Sequence, residues 1–177
     1  MFDSKYDFKF LMNKKGTSAD CFQVESVYTF TTKHNQDYLV NCQLHQNSFY
    51  AIKFHLKSHK DSDNKYKFLT DKGDAATIIN TVLIIMELLL AKNPYVSFGV
   101  IGEQLLSENN YNNTKRFQLY SRIFATFFSP INFSHFTCVR SSAYLLINKI
   151  GSTSNLKKDI ETELIKCYDS VFSFQEL

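Results

Sequence analysis

An α+β domain built on a mainly antiparallel sheet with a central buried helix is predicted for this chain, chiefly by a change of hydrophobic period. Up to about residue 70 apolar residues alternate with polar ones, as on half-buried strands, and from Asp71 they recur at helical spacing. Size agrees: 177 residues, 44% hydrophobic and 21% charged, suffice for one packed core. No Pro/Gly/Ser-rich linker divides them, so residues 1–150 read as one domain and 151–177 as a C-terminal amphipathic helix.

The elements follow in order. Tyr6, Phe8 and Phe10 alternate with Asp7 and Lys9, which makes a short strand. After the turn-like Asn13 to Asp20 the period of two resumes in Phe22, Val24, Tyr28 and Phe30, then in Tyr38, Val40, Cys42 and Leu44, then in Tyr50, Ile52, Phe54 and Leu56. Lys33 to Gln36 and His45 to Ser48 have hairpin length, and Ser58 to Asn64 leads to a further strand at Lys65 to Leu69. Residues 1–70 are therefore an antiparallel meander. A helix runs from Asp74, its N-cap or first-turn acid, to about Lys92, where Asn93-Pro94 ends it. Its polar edge is narrow (Thr77, Asn80, Thr81, Glu87), which predicts burial on most sides. Tyr95 to Ile101 reads as an interior strand. Thr114 caps a second helix with Phe117, Tyr120, Phe124 and Phe127 on one face, ended by Pro130. Strands at Phe133 to Val139 and Ala143 to Ile147 come next, and the last helix stripes Leu156, Ile160, Leu164, Cys167 and Val171.

Several function classes are disfavoured by composition. A net charge of +3 carried by scattered lysines, the tightest groups being Lys14-Lys15 and Lys157-Lys158, lacks the clustered basic face of a nucleic-acid binder. The abundant aromatics, 17 Phe and 10 Tyr, supply too much apolar surface for disorder. Cys21, Cys42, Cys138 and Cys167 show no zinc-ligand spacing and read as reduced thiols. His55, His59, Asp61 and Asp63 resemble a metal cluster only in composition, because on a strand two histidines four residues apart sit about 13 Å apart. No metal is expected. The start, Met-Phe-Asp-Ser-Lys-Tyr-Asp, is unlike a signal peptide, and Ala75 to Ala91 is short for a membrane span and carries Asn80 and Glu87. A cytoplasmic, non-membrane protein is the expectation.

The order of strands, long buried helix, buried strand, second helix and terminal strand pair resembles the GCN5-related N-acetyltransferase (GNAT) fold over roughly Tyr50 to Asn148. Members carry a [Q/R]-x-x-G-x-[G/A] turn before the long helix that holds the pyrophosphate of coenzyme A. Thr70-Asp71-Lys72-Gly73-Asp74-Ala75 stands there, matching at Gly73 and Ala75 and departing at Thr70. Asp71 and Asp74 would repel phosphate at the positive helix end. In the later helix, Asn113 and Leu119-Tyr120, with Phe133 beyond, match a family pattern whose tyrosine serves as general acid toward the departing thiolate. A closer resemblance is to small bacterial and phage families without an assigned activity, carried by Tyr50-Ala51-Ile52-Lys53-Phe54, Gly73-Asp74, Val96 to Gly102 and Arg116-Phe117-Gln118-Leu119-Tyr120.

Each candidate has a plain structural alternative. Lys72 to Ala75 is either a phosphate cradle or a loop before a helix, and a single glycine motif is weak evidence for the first. Tyr120 is either an acid or a core aromatic. Glu103, just past the interior strand, is either a base facing a cleft or a strand-end carboxylate. The stripe Leu156, Ile160, Leu164 and Val171 either docks on its own sheet or binds another protein by helix-in-groove packing. The leading expectation is a non-catalytic interaction or accessory protein without a cofactor. Its setting in bacterial defence, phage conflict or a toxin–antitoxin system is implied only by resemblance. The alternative is an acyl-coenzyme A-dependent N-acyltransferase that takes acetyl-coenzyme A on Lys72 to Ala75, with Tyr120 as acid and Glu103 as base.

Overall fold

A computed structural model describes residues 4–67, 72–168 and 172–177. The strands are β1 (Phe8–Lys15), β2 (Val24–Thr31), β3 (Asp37–Leu44), β4 (Phe49–Leu56), β5 (Ser97–Ile101), β6 (Phe133–Cys138), β7 (Ala143–Asn148) and β8 (Gln175–Glu176). The helices are α1 (Ala75–Lys92), α2 (Lys115–Phe127) and α3 (Leu156–Tyr168). The fold is α+β, with one open eight-stranded sheet in the order β1-β2-β3-β4-β5-β7-β6-β8. Every neighbouring pair is antiparallel except β4 and β5, which run parallel.

Alternation decides which face each strand residue takes. Tyr28, Val40, Ile52, Phe98 and Leu146 point to the face covered by α1 and α2, where Leu83, Ile85, Phe117 and Phe124 close the larger core. Phe49, Ala51, Leu145 and Ile147 point to the other face, where Ile160 and Leu164 of α3 meet them together with Phe172 and Phe174. Leu156 packs partly buried against this second core. The stripe Leu156, Ile160 and Leu164 is thus covered by the chain's own sheet, and Val171 lies outside the described residues.

The polar edge of α1 has a structural role. Asn80 Nδ2 donates to Ser4 O at 2.8 Å, and Thr81 Oγ1 accepts from Tyr6 N at 2.9 Å. The N-terminal segment is docked there, and Asn80 and Thr81 are buried as a result. Tyr6 then stacks on Phe30, with ring centroids 5.7 Å apart. Although α1 is long and apolar enough to span a membrane by length and composition, nine of its side chains are buried within the fold.

Three expectations need correction. Lys65 to Lys67, the described part of the expected strand Lys65 to Leu69, do not continue the meander: Lys65 N donates to Ser62 O and Lys67 N to Asn64 O, forming turns. In a Ser/Asp/Asn-rich run such local bonds prevail over a short alternating pattern, and residues 68 and 69 lie outside the described part. Asp74 occupies the N-cap position without capping, because its carboxylate is engaged by Tyr6 instead. The last helix is described over Leu156–Tyr168, Phe172 lies outside it, and the chain finishes in the short edge strand β8. Thr114, by contrast, caps α2 as expected, accepting from Phe117 N at 3.2 Å.

Replacing the fully buried Ile160 by alanine is expected to lower stability by about 2–5 kcal/mol in urea denaturation, the usual cost of truncating a packed aliphatic side chain. A change near zero would mean that α3 does not rest on the sheet.

Candidate functional site

The pairing of β4 with β5 covers three residues, Phe49↔Ser97, Tyr50↔Phe98 and Ala51↔Gly99. Beyond Ala51, β4 continues to Leu56 paired with β3 alone, while β5 continues to Ile101 paired with β7. The two strands part, and a cleft of about 300 Å³ fills the gap. Small residues make the room: Ala51, Gly99 and Ala143 all line it. A Cβ on Gly99 would come within 2.6 Å of the Phe49 ring, so glycine lets that ring sit in the wall. Leu164, Tyr168, Phe172 and Phe174 line the cleft from the α3 side. A smaller cavity of about 130 Å³ shares Phe54, Tyr66, Arg116 and Tyr120 with the first and reaches Ala75, Ile78 and Ile79 at the start of α1.

Into this mostly apolar space the fold brings several polar groups. Tyr120 lies on the buried face of α2, its ring 5.8 Å from Phe54 and 6.2 Å from Phe124. Burial pushes its phenol up to about 12, against an opposing pull from Arg116, so the hydroxyl stays protonated at neutral pH. Glu103 follows β5 after Gly102 and is half-buried. Burial raises its carboxyl, while Lys67 and Arg116 draw it back. Tyr120 and Glu103, 17 positions apart in sequence, therefore line one cleft.

The glycine turn is arranged differently. Lys72 and Gly73 are exposed, and Gly73 adopts φ 71°, a left-handed conformation that suits glycine. Asp74 is buried; its Oδ2 accepts from the Tyr6 hydroxyl at 2.9 Å, and its Oδ1 has no hydrogen-bond partner. The N-cap position of α1 thus carries a fixed carboxylate. Ala75 alone of the four lines a cavity. Thr70 and Asp71 lie outside the described residues.

Reading the sequence alone passed over Lys53, Tyr66, Arg116 and Tyr168 as site residues. Lys53 is on the same face as Phe49 and Ala51, and its ammonium lies 4.6 Å from the centroid of the Tyr168 ring. Burial lowers its pKa, with Glu25 opposing. Tyr66 stacks on His55 at 5.3 Å and is itself pushed up to about 12 by burial. The alternation of Tyr50 to Phe54 does place Lys53 opposite the larger core, but only tertiary structure shows that α3 covers that face. Among the described residues no group of three or more His, Cys, Asp or Glu could hold a metal, and His55 is buried against Tyr66. Compared with known proteins, the chain matches no family model, no curated protein and no solved structure.

Burial lowers His55 to about 4, with Lys65 and His59 adding to the effect, and burial lowers His45 and His135 as well. A buried neutral imidazole stabilises fully above its unfolded pKa of about 6.5, and that stability is lost as pH falls, because the unfolded chain takes protons that the folded one refuses. Urea midpoints are expected to fall between about pH 7 and pH 4, and His55→Phe to flatten the slope. An unchanged slope in that variant would contradict a neutral, buried His55.

Proposed function

We propose that the cleft between β4 and β5 binds an acyl-coenzyme A thioester and that the chain is an N-acyltransferase with a GNAT-like core. The observation that carries this reading is the parting of two parallel strands beyond Ala51↔Gly99. A strand left without a neighbour offers backbone donors and acceptors to an extended ligand, and an amide-bearing pantetheine arm can take them as an added strand would. The apolar walls suit the aliphatic parts of that arm, and the smaller cavity continues toward α1. Tyr120, protonated and buried, would give its proton to the departing thiolate. Glu103, whose carboxyl burial raises, would take one from the attacking amine.

One observation favours a second reading, a non-catalytic accessory protein that binds another protein. The carboxylate of Asp74 sits at the N-cap of α1, where pyrophosphate would need a positive helix end. On that reading the cleft persists without turnover, and partners engage exposed apolar side chains such as Tyr95, Ile131 and Ile150. The bacterial and phage-conflict setting belongs to this second reading.

Isothermal calorimetry with acetyl-coenzyme A separates the two. The acyltransferase reading expects binding at about micromolar Kd. In a free-thiol release assay with a panel of primary amines, Tyr120→Phe is expected to cut turnover by about 10²-fold or more, the usual contribution of a positioned acid, with Kd little changed. Binding without turnover would leave the accessory reading, and no heat at millimolar ligand would overturn the acyl-coenzyme A assignment.

A further inference from the structure

We propose that the Lys53 side chain is itself an acyl acceptor, so that a thioester seated in the β4/β5 cleft modifies this chain at Lys53 Nζ. The inference rests on the acyl-coenzyme A reading and adds the identity of an amine. Lys53 stands two residues beyond Ala51, the last β4 residue paired with β5, and is the sole lysine among the described residues lining the cleft. Its ammonium faces the ring of Tyr168 at 4.6 Å rather than a paired carboxylate. Glu25, which acts on it from two strands away, is bonded by Gln43 Nε2 at 2.7 Å. Burial disfavours the charged amine and Lys65 adds to that, against the pull of Glu25 and of the Tyr168 ring face, and the net lowering raises the share of nucleophilic neutral Nζ. On the α3 side Leu164, Tyr168, Phe172 and Phe174 line the cleft. An amine from solution must first enter it, whereas Lys53 is already inside.

The step balances within the groups named. Neutral Nζ attacks the thioester carbonyl carbon, a C–N bond forms, and the C–S bond breaks with its electron pair on sulfur. The proton lost from nitrogen goes to Glu103, the thiolate takes one from the Tyr120 hydroxyl, and the proton on Glu103 returns through solvent to the phenolate. The products are an Nε-acyl-lysine and a free thiol, with no change of oxidation state.

The test incubates the full chain with acetyl-coenzyme A and, separately, with S-acetyl-N-acetylcysteamine, a thioester without the nucleotide. Peptide mass spectrometry then gives the acetylation rate at each lysine, with exposed Lys57, Lys92 and Lys149 as internal references. Lys53 is expected to react about tenfold or more faster than these, because it is held beside the seated thioester while they must meet it from solution. Lys53→Arg is expected to abolish the fast site with an unchanged unfolding midpoint, and Tyr120→Phe to slow it. Fast labelling by the small thioester alone would support the reactive lysine while the coenzyme A reading fails. Calorimetric binding of acetyl-coenzyme A with labelling spread evenly over surface lysines would overturn this proposal and leave the binding site standing. Even labelling with both donors overturns it outright.

Discussion

Three residues of parallel ladder, Phe49 to Ala51 against Ser97 to Gly99, join the two antiparallel parts of the sheet. Parallel neighbours cannot be linked by a tight hairpin and need a crossover. The chain supplies one in the segment containing α1, and that helix also becomes the main cover of one face. The shortness of the junction matters as much as its direction. Because β4 goes on with β3 and β5 goes on with β7, the strands separate, and the space between them is neither filled by a strand nor open on every side.

The chemistry of that space follows from burial. The shifts at Tyr120, Glu103 and Lys53 have one main cause, desolvation by the surrounding apolar side chains, and each moves its group toward the neutral form. A cleft that holds a phenol protonated, raises a carboxyl and lowers an amine is suited to proton transfers among neutral partners. Arg116 adds a fixed positive charge, since it borders both cavities. Asp74 works in the opposite sense, because its carboxylate is committed to Tyr6 and so helps dock the N-terminal segment instead of leaving the helix end free.

Much of the architecture was legible in the residues because it depends on local periodicity. Tyr28, Val40 and Ile52 alternate as strand residues must, Ile78 to Leu89 recur as a buried helix does, and Thr114 shows its cap in sequence. The misreadings have local causes too: at Lys65 to Lys67 turn-forming neighbours outweighed alternation, and at Asp74 a long-range partner took the carboxylate from its cap. The candidate site was legible only in part. Tyr120 and Glu103 could be singled out by type and position, but nothing in their spacing says that they share a cleft. Lys53 looked like the polar side of a strand until α3 and Tyr168 covered it.

The claim that the strand junction makes the functional site is tested most directly by hydrogen exchange on the full chain with and without acetyl-coenzyme A. The account predicts slower exchange in peptides covering Ile52 to Leu56 and Val100 to Glu103 when the thioester is present, with β2 and β3 unchanged. Protection confined to other segments, or none at a concentration that saturates calorimetric binding, would contradict it.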